Sequence, residues 1–288
     1  MFEVRDASVE LSVVAPAHNE QDNVAALADE IAGALGQIDG SFEFILVDDG
    51  STDLTAKNAL ALIATRPWMR LVSMRDTPPP SPTHPGRGNG QSAAFHAGFR
   101  AARGRLVATL DADLQNDPAD LPAMIGILRQ TQADMVQGDR SHARKDNAIR
   151  RIGSIVGRLF RRMILGDAVR DTGCSLRVMR REVALRLPLE FRGMHRFIPV
   201  SAARMGYRVV EHPVNHRPRH AGTTKYGLGI AQRAFPALID CFAVLWMAGR
   251  RRSVEATEKS RPMGSPPTLL VEPRPLARPE AARAEINA

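Results

Sequence analysis

The chain has little cysteine, little lysine, few aromatic side chains and no long apolar run. Its two cysteines, Cys174 and Cys241, exclude a disulfide scaffold and a cysteine-based zinc cluster, and they suit a reducing compartment. Lysine occurs only at Lys57, Lys145, Lys225 and Lys259, so the 39 basic residues are nearly all arginine. Against 31 acidic residues they leave a net charge of +8, which calls for an anionic partner. With aromatic residues at 5%, little is available for stacking on bases, so no nucleic acid partner is expected. No segment has the apolar length of a membrane-spanning helix. The nearest, residues 234–249 (AFPALIDCFAVLWMAG), is short and contains Asp240. The opening MFEVRDASVE lacks the basic-then-apolar order of a secretory signal. Neither a GxGxxG fingerprint in its proper context nor a Walker A loop occurs, and His195, His212 and His216 are not at metal-ligand spacing.

What is present is ordinary globular composition. Over 288 residues, 44% hydrophobic and 24% charged content excludes wholesale disorder and allows one large or two small domains with a core of their own. LSVVA at 11–15, stopped by Pro16, reads as a buried strand. Val24, Leu27, Ile31 and Leu35 follow at helical spacing, with Asn19 or Asp22 as the cap. Strands are predicted at 42–47, 70–74, 106–110 and 134–138. Helices are predicted at 55–65 (Ala56, Leu60 and Ile63 on one side), 90–102 and 118–130. Each strand-to-strand connection is long enough for a helix, the pattern of a mainly parallel α/β sheet covered on both faces. Residues 76–89 (DTPPPSPTHPGRGN) exclude helix and strand and read as an exposed loop. In the second half, 149–165 is a basic amphipathic helix with Ile149, Ile152, Val156, Leu159 and Met163 on one face. A strand is predicted at 209–214 and a helix at 227–248. The reading divides a domain over 1–249 into a nucleotide half (about 8–140) and an acceptor half (about 141–249). It treats 250–288, rich in Pro and charge, as a disordered tail.

Chemistry concentrates where predicted strands end. Asp111-Ala112-Asp113 puts two carboxylates just past a strand, with Gln115 close by. That pattern suits Mg²⁺ or Mn²⁺, whose remaining ligands are waters and phosphate oxygens. VDDGSTD at 47–53 ends another strand and can present a carboxylate to a base or ribose, while Ser51, Thr52 and Asp53 cap the next helix. HRPRHAGTTKYG at 216–227 combines Arg217, Arg219, His220 and Lys225 with two glycines, a composition suited to closing cations over a phosphate.

PAHNEQDNV, ILVDDGSTDLT, GQSAAFHAGFRAARG, TLDADLQNDP, DTGCSLRVMRRE and RPRHAGTTKYG occur in this order. Together they resemble glycosyltransferase family 2 over about 11–252. Within that family they look like the polyprenyl-phosphate sugar transferases of the dolichol-phosphate mannose synthase type. The resemblance implies a GT-A fold and an inverting transfer from a GDP- or UDP-sugar. It further implies that Pro16, His18 and Glu20 contact base and ribose, that Val47 and Asp49 add nucleotide contacts, and that Asp111, Ala112, Asp113 and Gln115 form the metal and diphosphate site. Arg219 and Lys225 match the closing loop, and Arg140 matches an acceptor-side arginine. His18 stands where relatives often have Tyr, which leaves the base open.

A lipid phosphate is anionic near neutral pH and needs no general base, whereas a sugar hydroxyl does. Asp171, at the start of DTGCS, and Glu190 are the available base candidates; a structural turn suits Asp171 better. A polyprenyl phosphate such as undecaprenyl phosphate is therefore the expected acceptor. Arg140, Arg150, Arg151 and Arg158 could gather around its phosphate, since a guanidinium binds phosphate through two parallel hydrogen bonds. Trp246 followed by Arg250-Arg251-Arg252 suits the headgroup region of an anionic membrane, placing the protein peripherally on the inner face of the cell membrane. The alternatives are a hydroxyl acceptor on the same fold and a non-enzymatic protein that binds anionic surfaces.

Overall fold

The computed structural model describes residues 9–36, 40–75, 88–142, 148–218, 230–252, 256–257 and 269–271; of these, 148–156, 230–237 and the last two segments are described as backbone alone. The Pro-rich loop at 76–87, and with it nearly all of the expected 76–89 loop, lies outside the described residues. The elements run β1 (Val9–Ala17), α1 (Val24–Leu35), β2 (Ser41–Asp48), α2 (Thr55–Ile63), β3 (Met69–Ser73), α3 (Gln91–Ala101) and β4 (Leu106–Thr109). Next come α4 (Leu121–Thr131), entered through a single tight turn at Pro118–Asp120, then β5 (Met135–Asp139) and α5 (Ala148–Leu165). The remainder is β6 (Arg177–Arg180), α6 (Arg181–Arg186), α7 (Ile198–Arg204), β7 (Val209–Pro213), α8 (Ile230–Arg250), β8 (Ala256–Thr257) and β9 (Leu269–Val271). The last two pair antiparallel within the segment expected as a tail; beyond residues 250–252 and these two strands, that segment is not among the described residues.

One seven-stranded sheet, in the order β3-β2-β1-β4-β6-β5-β7, runs through both expected halves. Its two faces explain the unbroken apolar runs. Val13 and Leu46 point to one face with Leu27, Ile31, Leu121 and Met124. Val14, Ile45 and Val47 point to the other, with Phe95, Phe99, Phe197 and Ile198. Neither face of a central strand meets water, so alternation disappears from the sequence. Helix α3 lies hard on the sheet at Gly98, where an added Cβ would sit 2.3 Å from Val14 Cγ1.

Two local expectations need correction. β1 does not stop at Pro16; it continues through Ala17, with Pro16 in register with Val47. The carbonyl of Val14 faces β4, and β4 ends opposite that residue, so the missing N–H of Pro16 meets no strand on that side. In α2 the buried residues are Thr55 and Ala59, while Leu60 is 59% exposed. The largest feature the periodicity missed is β6. It is short, runs antiparallel between β4 and β5, and breaks the simple alternation of strand and helix.

Candidate active site

The order of strands reverses at β1, which has β2 on one side and β4 on the other. Such a reversal opens a crevice beyond the carboxyl ends of the strands. β1 delivers Pro16-Ala17-His18 there, β2 delivers Asp48-Asp49, and β4 delivers Asp111. The predicted motifs therefore converge because of topology alone.

On the β1–β2 side the loops hold each other. Asn19, at a positive φ of 55°, donates its N–H to Ser51 Oγ (2.9 Å), and its Oδ1 accepts the N–H of Thr52 (2.7 Å). Glu20 N–H donates to Thr55 Oγ1 (2.8 Å), and the N–H of Leu54 returns a bond to Gln21 Oε1 (2.9 Å). His18 Nδ1 lies 2.6 Å from the carbonyl oxygen of Asp49, to which it donates. Asp53 receives the amide (2.9 Å) and hydroxyl (2.5 Å) of Thr55. Burial works to raise its pKa, but these bonds prevail and lower it. Asp49 has a role the sequence did not announce: its carboxylate accepts the N–H groups of Asn89 and Gly90, both at 2.7 Å, and so fixes the approach to α3. The side chain of Val47 is fully buried in the core. Glu20 is half-buried and accepts from Asn23 Nδ2 (2.7 Å). Neither Asn19 nor Asp22 caps α1; its first position is preceded by Asn23, which makes no side-chain cap bond.

At the end of β4, Gln91 on α3 donates to Asp111 Oδ1 (2.7 Å), and among the described residues nothing holds the other carboxylate oxygen. Asp113 is buried and its Oδ1 accepts the N–H of Gln115 (3.1 Å). Ala112 is buried between them. The donor set is two carboxylates and an amide, hard oxygens that fit Mg²⁺ or Mn²⁺. Among the described residues no three His, Cys, Asp or Glu side chains gather as a metal cluster, so a cation here would take its other ligands from water and diphosphate. The loop is also pinned by the segment that follows β7: Arg217 N–H donates to the carbonyl of Gln115 (2.9 Å), and its guanidinium grips Asp117 and Glu30. Arg219, His220 and Lys225 of the expected closing loop lie outside the described residues.

Because β6 runs backwards, its amino end meets the carboxyl end of β4, with Thr109 opposite Arg177. The DTGCS loop thereby arrives beside Asp111. Buried Gln137 holds it, with Nε2 3.0 Å from the carbonyls of Gly138, Asp171 and Cys174, while Oε1 accepts from Arg177 Nε (2.8 Å). Thr109 donates its hydroxyl to the carbonyl of Ser175, and Asn116 Nδ2 donates to Ser175 Oγ. Between these parts lies a cavity of about 260 Å³, lined by Gln91, Asp111, Thr172, Gly173, Ser175, Arg177, His195 and Arg196. Of these, only Asp111 was singled out from the sequence as a ligand. Gln91 and Arg177 lie inside the motifs quoted above, so the motif marked the segment without marking the side chain. His195 and Arg196 had no such marker.

The acceptor-side residues divide. Arg140 is 7% exposed and makes a two-bond ion pair with Asp171, Nε–Oδ2 2.8 Å and Nη2–Oδ1 3.2 Å. Burial works against its charge, but Asp171 outweighs that and raises its pKa. Asp171 is thus a counterion and turn anchor, which agrees with the structural reading of DTGCS and leaves it unsuited as a base. Arg158 is half-buried, and its Nε has no bonding partner among the described residues. The side chains of Arg150 and Arg151 are not described. Glu190 is exposed, sits 3.9 Å from His96 and does not line the cavity. On α5 the expected apolar face reaches the surface, with Leu159 65% and Met163 78% exposed. It packs beside α8, where Ile239, Phe242 and Trp246 are also exposed. Burial pushes the Cys174 thiol up to about 11, and burial also raises Cys241, so neither is a reactive thiolate.

Comparison with known proteins agrees with this geometry. Residues 12–187 match the model of the glycosyl transferase family 2. The chain is 36% identical over 242 residues to a dodecaprenyl-phosphate galacturonate synthase of Rhizobium johnstonii, covering 83% of this chain and 67% of that protein. It is 36% identical over 219 residues to the undecaprenyl-phosphate 4-deoxy-4-formamido-L-arabinose transferase of Edwardsiella ictaluri, covering 76% of this chain and 63% of that protein. The chain thus spans about two thirds of the length of these relatives. Among solved structures, glucosyl-3-phosphoglycerate synthase from Mycobacterium tuberculosis, in complex with Mn²⁺, UDP and glucosyl-3-phosphoglycerate, superposes with a TM-score of 0.58. It is 21% identical and the match covers 93% of this chain and 89% of that one, which shows a shared fold.

Proposed function

The chain belongs to glycosyl transferase family 2, and from that premise we propose that it moves a sugar, with inversion, from a GDP- or UDP-sugar to a polyprenyl phosphate such as undecaprenyl phosphate. The observation that carries the reading is the convergence of the β1, β2 and β4 ends at the reversal of strand order, with Asp111 and Asp113 closing β4. Relatives at 36% identity named as dodecaprenyl- and undecaprenyl-phosphate sugar transferases support the acceptor class.

In this reading Pro16, His18, Glu20 and the main chain at Val47 and Ala112 frame the nucleotide, and Asp49 acts by fixing the Asn89–Gly90 turn beneath it. Asp111, Asp113 and Gln115 hold Mg²⁺ or Mn²⁺, which when bound offsets the charge that develops on the leaving diphosphate. Arg219 and Lys225 add positive charge from the closing loop. Arg140, already balanced by Asp171, lends shape and a firm wall to the acceptor side, and Arg158 with Arg150 and Arg151 supplies positive charge on α5 that draws the lipid phosphate towards the crevice. The attacking phosphate oxygen is anionic, so no side chain need remove a proton. The positions of Asp171 and Glu190 favour this acceptor over a hydroxyl, since neither faces the cavity. No helix among the described residues is long and apolar enough to cross a membrane. The exposed apolar residues of α5 and α8, flanked by Arg250 and Arg252, suit a peripheral seat on an anionic membrane on the inner face of the cell membrane.

The test is transfer itself. Purified protein with Mn²⁺ or Mg²⁺ is given a panel of nucleotide-sugars with and without undecaprenyl phosphate, and products are read by mass spectrometry beside Asp113→Ala. A lipid-linked sugar that requires lipid, metal and Asp113 is the expected result. Metal-dependent nucleotide binding without that product moves the acceptor to a hydroxyl. Absence of nucleotide binding removes the enzyme reading.

A further inference from the structure

Two buried arginines, Arg140 just past the end of β5 and Arg177 at the start of β6, have different surroundings. Arg140 has Asp171 as its counterion. Arg177 is 2% exposed, yet its hydrogen bonds among the described residues go to neutral groups: Nε donates to Gln137 Oε1 (2.8 Å) and Nη2 to the carbonyl of Thr172 (3.1 Å). Among the described residues no carboxylate lies within ion-pair distance of it. Burial holds its pKa down to about 10. A buried charge is expected to have a partner, and Arg177 forms part of the cavity wall.

The wall beside it is made of donors. Ser92 Oγ accepts the backbone N–H of His195 (3.1 Å) and lies 2.9 Å from His195 Nδ1. If the ring donated to Ser92, the hydroxyl proton would have no acceptor among the described residues. With the hydroxyl donating to Nδ1, Ser92 and Nδ1 are both satisfied and the ring proton sits on Nε2. Burial, then Arg196 and Arg177, push the His195 pKa down to about 3, so the ring is a neutral donor at working pH. Arg196 is half-buried, and its guanidinium makes no hydrogen bond or ion pair among the described residues. Asp111 is the one acidic side chain lining the cavity, and one of its oxygens is held by Gln91.

We propose that this cavity is an oxyanion subsite, in which a phosphate or carboxylate group of a substrate lies against Arg177 and Arg196 and accepts from His195 Nε2–H. The proposal rests on the transfer reading above and sharpens it. The oxyanion comes from one of two sources, the phosphate of the lipid acceptor or a carboxylate on the donated sugar. Ser92 is then a positioning residue, setting the tautomer of His195.

Arg196→Gln is the informative variant, because Arg196 makes no bond whose loss would unfold the chain; Arg177→Gln serves as the second, with a thermal melt to check its fold. Binding to the full chain with Mn²⁺ is measured for UDP, GDP, UDP-galactose, UDP-galacturonate and farnesyl phosphate. Expected is nucleoside diphosphate affinity within twofold of wild type, with about a ten- to hundredfold loss on one anionic probe, the range for a hydrogen bond to a charged group. Loss confined to farnesyl phosphate identifies the acceptor phosphate as the source. Loss of a preference for UDP-galacturonate over UDP-galactose identifies the sugar carboxylate. Unchanged affinity for both probes in Arg196→Gln overturns the subsite while leaving transfer standing. Arg196-dependent binding of farnesyl phosphate by a wild type that binds neither nucleotide keeps the subsite and removes the transfer reading. A wild type that binds none of the probes overturns both.

Discussion

The two sides of the crevice are built by opposite means. Between β1 and β2 the loops are knitted by hydrogen bonds from amides to hydroxyl, side-chain carbonyl and carboxylate oxygens, with Asn19, Gln21, Ser51, Asp53 and Thr55 each reaching across. Between β4, β6 and β5 the chain buries cations, one of them paired and one with neutral partners. The first side is complete before any substrate arrives, so it can position a nucleotide at little cost in ordering. The second carries desolvated positive charge, which costs stability unless it is balanced, and the proposed oxyanion would supply that balance.

The sharpest way to break this contrast is to remove a counterion. Asp171→Ala leaves Arg140 buried and unbalanced and is expected to cost about 3–5 kcal/mol in urea unfolding. Arg177→Met, which removes the charge instead, is expected to cost clearly less, and an equal loss would contradict the contrast. Next in size, Asp113→Ala or Asp111→Asn is expected to lower the transfer rate about 10²–10³-fold with unchanged far-ultraviolet circular dichroism. The His195 ring adds a pH signature. Its folded pKa, about 3, lies below the ordinary value, so its contribution to stability is complete above about pH 6.5 and is lost as pH falls from there towards 3. Across that window stability should fall steadily as pH falls, and His195→Gln should flatten that part of the curve. On the β1–β2 side, Asn19→Ala breaks single bonds without exposing a charge and should cost about 1–2 kcal/mol, with KM for the nucleotide-sugar rising more than kcat falls. The smallest effect belongs to the surface. Trp246→Ala, which also removes the ring 5.8 Å from the Arg250 guanidinium, should weaken binding to anionic vesicles several-fold and leave turnover on detergent-dispersed farnesyl phosphate unchanged.

The sequence made the β1–β2 side of the site almost fully legible. Its motifs are contiguous, each follows an apolar strand, and strand ends on one edge of a parallel sheet must meet. Asp49 was found but its partner was not, because Asn89 and Gly90 are forty residues away and nothing in their spacing records the bond. The β4–β6 side was legible only as segments. β6 is four residues long and its direction follows from pairing, which no periodicity encodes. His195 and Arg196 sit in a short turn (Met194–Phe197) where composition carries no signal. Leu159 and Met163 obeyed helical spacing, yet the face they define points outward: spacing groups side chains and does not say what they touch.

The reversed strand also sets an order of assembly. β3, β2, β1 and β4 can associate from the first 110 residues, but β4 then presents an open edge until residues 177–180 have been made. β5 has no bond to β4 and waits for the same four residues, and β7 waits for β5. Non-local pairing of this kind is slow, and an unpaired edge invites the wrong partner. Pulse-labelled hydrogen exchange during refolding should therefore find β1 and β2 protected first, with β5 and β7 protected together and late. Arg177 would then belong both to the cavity wall and to the strand whose arrival completes the sheet.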